Sequence, residues 1–217
     1  MKKKKLMILK IFRRFKLLEE QILVNDNLAI LLSKEGEDKD ICIGVPHHAP
    51  LGIGILPCST HKDSDENTGL IGFKVARELH CSYVVACNYF IDSNKCLSSD
   101  YSERINNFKP KFIIEVHGHG GKNANYDIEI SCGSKERNDK SKLFAEILSS
   151  HYAKHSICGD FEQIYFKASN TATINTEQWL GIHIEILKKI RKNCDREFIN
   201  ALVKTIIEFK KKNLIFI

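Results

Sequence analysis

KFIIEVHGHGG, residues Lys111 to Gly121, is the stretch on which the fold turns. Phe112, Ile113, Ile114 and Val116 are residues of a buried strand, because aromatic and branched side chains fill a pleated surface well. The apolar run then stops at His117, His119 and a glycine turn. In open α/β sheets the carboxyl ends of strands border the ligand crevice, so a histidine delivered there on a rigid element is placed to bind metal or substrate. A lone histidine would more simply be a turn residue bonded to backbone. This one has company elsewhere in the chain.

The 217 residues suffice for one domain with a sizeable core, and 43% hydrophobic with 28% charged residues exclude a disordered or fibrous chain. No apolar run reaches the length of a membrane span, so no transmembrane segment is expected. The net charge of +6 is concentrated at the two ends, in MKKKKLMILKIFRRFK and in the late KKIRKNCDR and FKKKN stretches. That asymmetry argues against a nucleic-acid-binding surface. We read residues 1–16 as a basic N-terminal segment, solvated and frayed or in contact with RNA or an anionic membrane, ahead of a single domain over 17–217. It lacks the apolar core and small-residue cleavage site of a secretory signal. Eight cysteines without a CxxC pair argue against a zinc ribbon and for reduced thiols in a cytoplasmic protein.

Along the chain, residues 21–33 (QILVNDNLAILLS) read as two short strands around an Asn-Asp-Asn turn. ICIGVPHHAP, residues 41–50, reads as a strand to Val45, ended by Pro46, which lacks a ladder donor. Residues 49–66 form a long irregular connection carrying Asp63, Asp65 and Glu66. The spacing of Leu70, Phe73, Ala76 and Leu79 predicts a helix over Thr68 to Leu79, with Asn67 or Thr68 as N-cap. Strands are predicted in SYVVACNYF (82–90), YDIEISCG (126–133), FEQIYFKA (161–168) and GIHIEIL (181–187). Helices are predicted near Asp100 to Asn107, over 139–151, and at the end on Phe198, Leu202, Ile206 and Phe209. This order specifies an α/β fold, a single domain with a mixed, mostly parallel β-sheet flanked by helices on both faces.

Polar residues now collect at separate strand ends: His47 with His48, Asp92 with Asn94 and Lys95, His117 with His119, and Glu185. Asp65 and Glu66 join them from the long connection. Two histidines and a carboxylate are the donor set of a catalytic zinc, with a fourth position for water or substrate. A further carboxylate beside such a site can take a proton from the attacking water.

The motifs VPHH, FIDSNK, IIEVHGHGG and GIHIEI, in that order, resemble the N-formylglutamate amidohydrolase family, itself similar in fold to zinc carboxypeptidases; the likeness runs from about Ile41 to about Leu187. It implies a zinc-dependent amidohydrolase acting on an N-acyl amino acid or small peptide. By position, His47 and His117 would bind Zn2+, with Glu66, just ahead of Asn67-Thr68-Gly69, as the acidic ligand and Asp65 as the alternative. Glu185 would be general base and proton donor, helped by the apolar surroundings of Ile182, Ile184 and Ile186, which would raise its pKa. Asn94 and Lys95 fall on the family's substrate-binding Asn-Arg pair, and the lysine departs from it, since it lacks a planar bidentate fork. The acidic substrate of the namesake enzymes is therefore not carried over. His119 is read as a substrate-pocket residue or a turn histidine, His48 as a neighbour that a one-residue register change would exchange with His47, and Glu115 and Asp127 as carboxylates behind the histidine rings. Trp179 is read as core. Two rival readings stand: a non-catalytic metal- or peptide-binding member of the fold, and a nucleic-acid-binding protein using the basic tail.

Overall fold

A computed structural model describes residues 15–214. All but the last two residues of the basic segment 1–16 lie outside this range. In chain order the elements are α1 (15–24), β1 (Ile30–Lys34), β2 (Asp38–Ala49), β3 (Asp65–Glu66), α2 (Thr68–Leu79), β4 (Cys81–Cys87), α3 (Asp100–Phe108), β5 (Phe112–His119), β6 (Ile128–Ser131), α4 (Asn138–His151), β7 (Ile157–Cys158), β8 (Leu180–Leu187), α5 (Lys188–Lys192) and α6 (Arg196–Leu214). They build one mixed sheet in the order β1-β4-β2-β5-β8-β6-β7, with β3 paired to the end of β2. The central β4, β2, β5 and β8 run parallel, while β1 is antiparallel to β4, β6 is antiparallel to β8, and β7 runs parallel to β6.

Alternation along the strands gives the sheet two different faces. On one, Ile43, Val45, Ile114, Val116, Ile182, Ile184 and Ile130 pack under residues of α2, α4 and α6. On the other, Cys42, Val84, Ala86 and Ile113 pack against Tyr101 and Ile105 of α3 and against Trp179. Helices thus cover both faces. Farther along this second face, toward the carboxyl ends, β5 presents Glu115, His117 and His119 and β8 presents His183 and Glu185, all buried. Glu115 lies opposite His183, and His117 opposite Glu185.

Four sequence expectations are corrected. Residues 21–24 belong to α1, not to a strand: Phe15 and Ile22, two helical turns apart, are both buried. The apolar period begins inside the basic stretch, where charge masks it. Strand β2 does not end at Pro46 but continues to Ala49. Its pairing with β5 stops at Gly44 and its register with β4 slips between Val45 and His48, so no ladder bond asks for the missing N–H. This bulge turns Val45 and His48, three residues apart, toward the same helix, where only glycine fits. A Cβ on Gly72 would lie 2.6 Å from Val45 Cγ2, and one on Gly69 would strike the His48 ring. Residues 161–168 form no strand. The backbone N–H groups of Tyr165 and Phe166 instead donate to the buried Glu129 carboxylate, at 2.9 and 2.8 Å. Asn67 precedes α2 at φ 68° without capping it. Its side chain donates to the Arg191 carbonyl, at 2.6 Å.

Among the described residues no helix is long and apolar enough to cross a membrane. Helix α6 is anchored by Asp195, whose carboxylate accepts from the Glu197 N–H at 2.9 Å and from the Tyr152 hydroxyl at 2.8 Å. Burial pushes its pKa up, but Lys154 and these donors more than offset that and bring it from 3.8 to about 2. A depressed carboxyl pKa stabilises the fold above the unfolded value and stops doing so as pH falls through the folded one. We therefore expect Asp195→Ala to cost about 1–2 kcal/mol in urea unfolding at pH 7. The difference from wild type should shrink between about pH 4 and pH 2.

Candidate metal centre

At the carboxyl edge of the sheet, β2, β3 and β5 bring one side chain each to a common point. His47 Nδ1 and His117 Nδ1 stand 3.6 and 3.4 Å from Asp65 Oδ2, and all three residues are buried. These separations are long for hydrogen bonds. They match the edge of a tetrahedron about zinc, about 3.3–3.5 Å for bonds of about 2.0–2.2 Å. The two rings meet edge-on, inclined at 66° with centroids 5.1 Å apart.

Behind each ring stands a second carboxylate. His47 Nε2 is 2.9 Å from Asp92 Oδ1 and His117 Nε2 is 3.3 Å from Glu115 Oε2. A carboxylate on the far nitrogen fixes the ring and leaves the near nitrogen for a metal. His47 Nδ1 finds no hydrogen-bond partner among the described residues. Nor does Glu185 Oε2, on the strand opposite His117. Two orphaned, buried polar atoms beside an acidic cluster are what a bound cation would satisfy.

Two neighbouring clusters of donors are poorer candidates. His61 stacks on His47 with centroids 3.8 Å apart and planes at 16°. Lone pairs lie in the ring planes, so those of stacked imidazoles run side by side and do not converge. Glu115 and His183 flank His117 on its other side. However, Glu115 already accepts from Asn94 Nδ2, the Tyr101 hydroxyl and the Thr173 hydroxyl, at 3.1, 3.0 and 2.7 Å, besides His117.

Charge follows from this packing. Burial opposes ionisation of Asp65, yet His117 and His47 hold its carboxyl far below the usual range. Burial also lowers His117, but Asp65 and Glu115 win and raise it to about 10. Glu115 is pushed up by burial and brought down to about 2 chiefly by His117. For Glu185 burial again raises the pKa, and His183 and His117 lower it further than that. The expected upward shift is therefore corrected. Ile182, Ile184 and Ile186 point into the opposite core, and the neighbours of Glu185 on its own face are histidines.

The sequence-predicted residues divide clearly. His47 and His117 converge; Glu66 does not join them. Its carboxylate takes the Gly52 N–H and pairs with Lys188 Nζ at 2.5 Å, and the acid between the histidines is its neighbour Asp65. Successive residues of a strand diverge, so β3 delivers only one of the pair. His48 points away, stacked on Phe15 and bonded to Glu19. Asn94 is buried as a brace on Glu115, and Lys95 is exposed and donates to Thr171 Oγ1 at 3.1 Å. Both His119 nitrogens are used in its turn, Nε2 donating to the Asp127 carbonyl and Nδ1 accepting from Gly121. The Asp127 carboxylate serves His155 and not the centre. The sequence reading missed His183, which holds Glu185 Oε1 at 3.1 Å, and His61. The His-x-Glu alternation of GIHIEI was the available signal for His183, since residues two apart share a strand face.

No family profile matches the chain, and no curated protein matches it in sequence. Among solved structures it is similar to the zinc-free apo form of YNDL, with TM-score 0.50 and 15% identity over 88% of this chain and 95% of that one. It is similar to a bacteriophage poly-gamma-glutamate hydrolase, with TM-score 0.50 and 14% identity over 91% and 97%. An N-acetylmuramoyl-L-alanine amidase from Clostridium difficile 630 aligns with TM-score 0.48 and 15% identity over 80% and 96%. The first two of these likenesses agree with the α/β fold described above.

Glu115 is the buried hub of this centre. Glu115→Gln would aim an amide NH2 at groups that already donate, leaving buried donors unmatched. We expect a loss of about 2–4 kcal/mol in chemical unfolding, far more than for an exposed glutamate.

Proposed function

We propose that this protein is a zinc-dependent amidohydrolase that cleaves an amide bond in an N-acyl amino acid or small peptide. The observation that carries the reading is the convergence of His47, Asp65 and His117, each histidine backed by its own carboxylate, beside a fourth buried carboxylate with one oxygen free. Two of the similar solved structures support it: one is named as a zinc-free form, the other as a hydrolase of poly-gamma-glutamate, an amide-linked polymer.

When bound, zinc supplies a Lewis acid for the amide carbonyl and acidifies water. The remaining work falls to side chains. Glu185 is ionised, because the histidines hold its pKa down. His183 Nε2 fixes Oε1, which leaves Oε2 to take the proton of the attacking water and return it to the departing nitrogen. Burial is the main influence lowering the His183 pKa, which favours the neutral ring beside Glu185. Asp92 and Glu115 keep the ligating rings in one orientation. Lys95, exposed beside this network, is our candidate for a substrate carboxylate, as a point charge and not a fork. The N-formylglutamate amidohydrolase likeness stays a reading of motifs, with Asp65 now in the place first given to Glu66. All eight cysteines are free thiols, which supports a reducing compartment and hence the cytoplasm.

Elemental analysis of wild type, His117→Ala and Asp65→Ala tests the metal. We expect about one zinc per wild-type chain, lost in both variants. Glu185→Gln should keep zinc while hydrolysis of N-acyl amino acids or short peptides falls about 10²–10⁴-fold. Wild-type protein that takes up no added zinc would overturn the reading.

A further inference from the structure

Arg191 is buried in α5, yet it makes no ion pair among the described residues. Its guanidinium serves backbone only. Nε donates to the Ile186 carbonyl at 2.9 Å, Nη1 to the Glu66 carbonyl at 2.6 Å and Nη2 to the His119 carbonyl at 3.2 Å. These carbonyls belong to the carboxyl ends of β8, β3 and β5, where the ladders stop and buried acceptors would otherwise go unpaired. The three strands are those that carry Glu185, Asp65 and His117. A fourth bond, Asn67 Nδ2 to the Arg191 carbonyl, at 2.6 Å, closes the link between β3 and α5.

The sequence is fitted to this arrangement. A Cβ at Gly118 would run into the guanidinium, so the glycine between His117 and His119 is the floor on which Arg191 lies. Arginine offers five N–H donors in a rigid plane, and lysine offers one tetrahedral nitrogen that cannot reach three carbonyls fixed on separate strands. A buried, unpaired cation is costly unless charge of the opposite sign lies near. Here Asp65, Glu185 and Glu66 supply it at longer range.

We infer that Arg191 is a positioning residue that locks the strand ends carrying Asp65, His117 and Glu185 into the separation a metal requires. It touches neither metal nor substrate. The inference builds on the zinc reading above, but the lock itself is a property of the metal-free fold.

The test uses the full chain as wild type, Arg191→Lys and Gly118→Ala, with thermal unfolding to confirm that each folds. Zinc affinity is measured by chelator competition, the cobalt(II)-substituted protein by visible absorption, and the metal-free protein by amide hydrogen exchange. Arg191→Lys should weaken zinc binding about 10–100-fold, the range for a residue that orients ligands from behind. Its cobalt spectrum should lose tetrahedral intensity, and exchange should speed up at residues 65–67 and 119–121 but not in α4 or α6. Gly118→Ala should reproduce the pattern by displacing the guanidinium, and it decides the matter if the lysine variant does not fold. Wild-type affinity, spectrum and exchange in a folded variant would overturn the inference. If wild type binds no metal, the zinc reading falls, and exchange at these strand ends still decides whether Arg191 locks them.

Discussion

Asp65 is a carboxylate sealed from solvent between two imidazole rings, and the carboxyl edge of the sheet is arranged around it. An ionised carboxylate without partners would be costly there by many kcal/mol, so cations must sit beside it. Burial opposes charge on the flanking His117 and His47, but the carboxylates around them outweigh burial and raise both pKa values. The same donors would hold a divalent ion equally well, because metal and proton compete for the same nitrogen lone pairs. The surrounding carboxylates, Asp92, Glu115 and Glu185, add further negative charge to a small volume.

That electrostatic demand explains features that look incidental alone. The polar row on β5 and β8 lies on the face whose lower half packs against α3, so Tyr101 reaches from the helix to Glu115. Thr173 and Asn94 arrive from loops to complete the same carboxylate. The bulge at Pro46 is the geometric counterpart. Without its extra residue, His47 and His48 would exchange faces, and the centre would lose one ligand while α2 lost its packing partner.

Much of the frame was legible because it follows local periodicity. The strands around Ile41, Val84, Phe112 and Ile182 announce themselves as short apolar runs buried on both faces, and the helices on Leu70, Phe144 and Phe198 as one apolar stripe each. Residues 21–24 and 161–168 depart from the expected strands for different reasons. Lys16, Glu19 and Glu20 interrupt the apolar pattern of the helix that holds the first, while in the second Phe161, Ile164 and Phe166 imitate a strand, yet the N–H groups of Tyr165 and Phe166 go to the Glu129 side chain.

By itself the sequence determined the α/β fold, the strand ends at which chemistry gathers, and two of the three converging donors, His47 and His117. Those residues sit at fixed places on regular elements, and regular elements are encoded by periods of two and 3.6. Tertiary structure alone decided that Asp65 and not Glu66 faces them, that His183 holds Glu185, and that Glu185 is acidified where its isoleucine neighbours suggested the reverse. It decided too that Arg191, 72 residues beyond His119 in the chain, closes the same corner. Each of these depends on which strands lie side by side and how far a β-bulge rotates a side chain, and no local pattern carries that information.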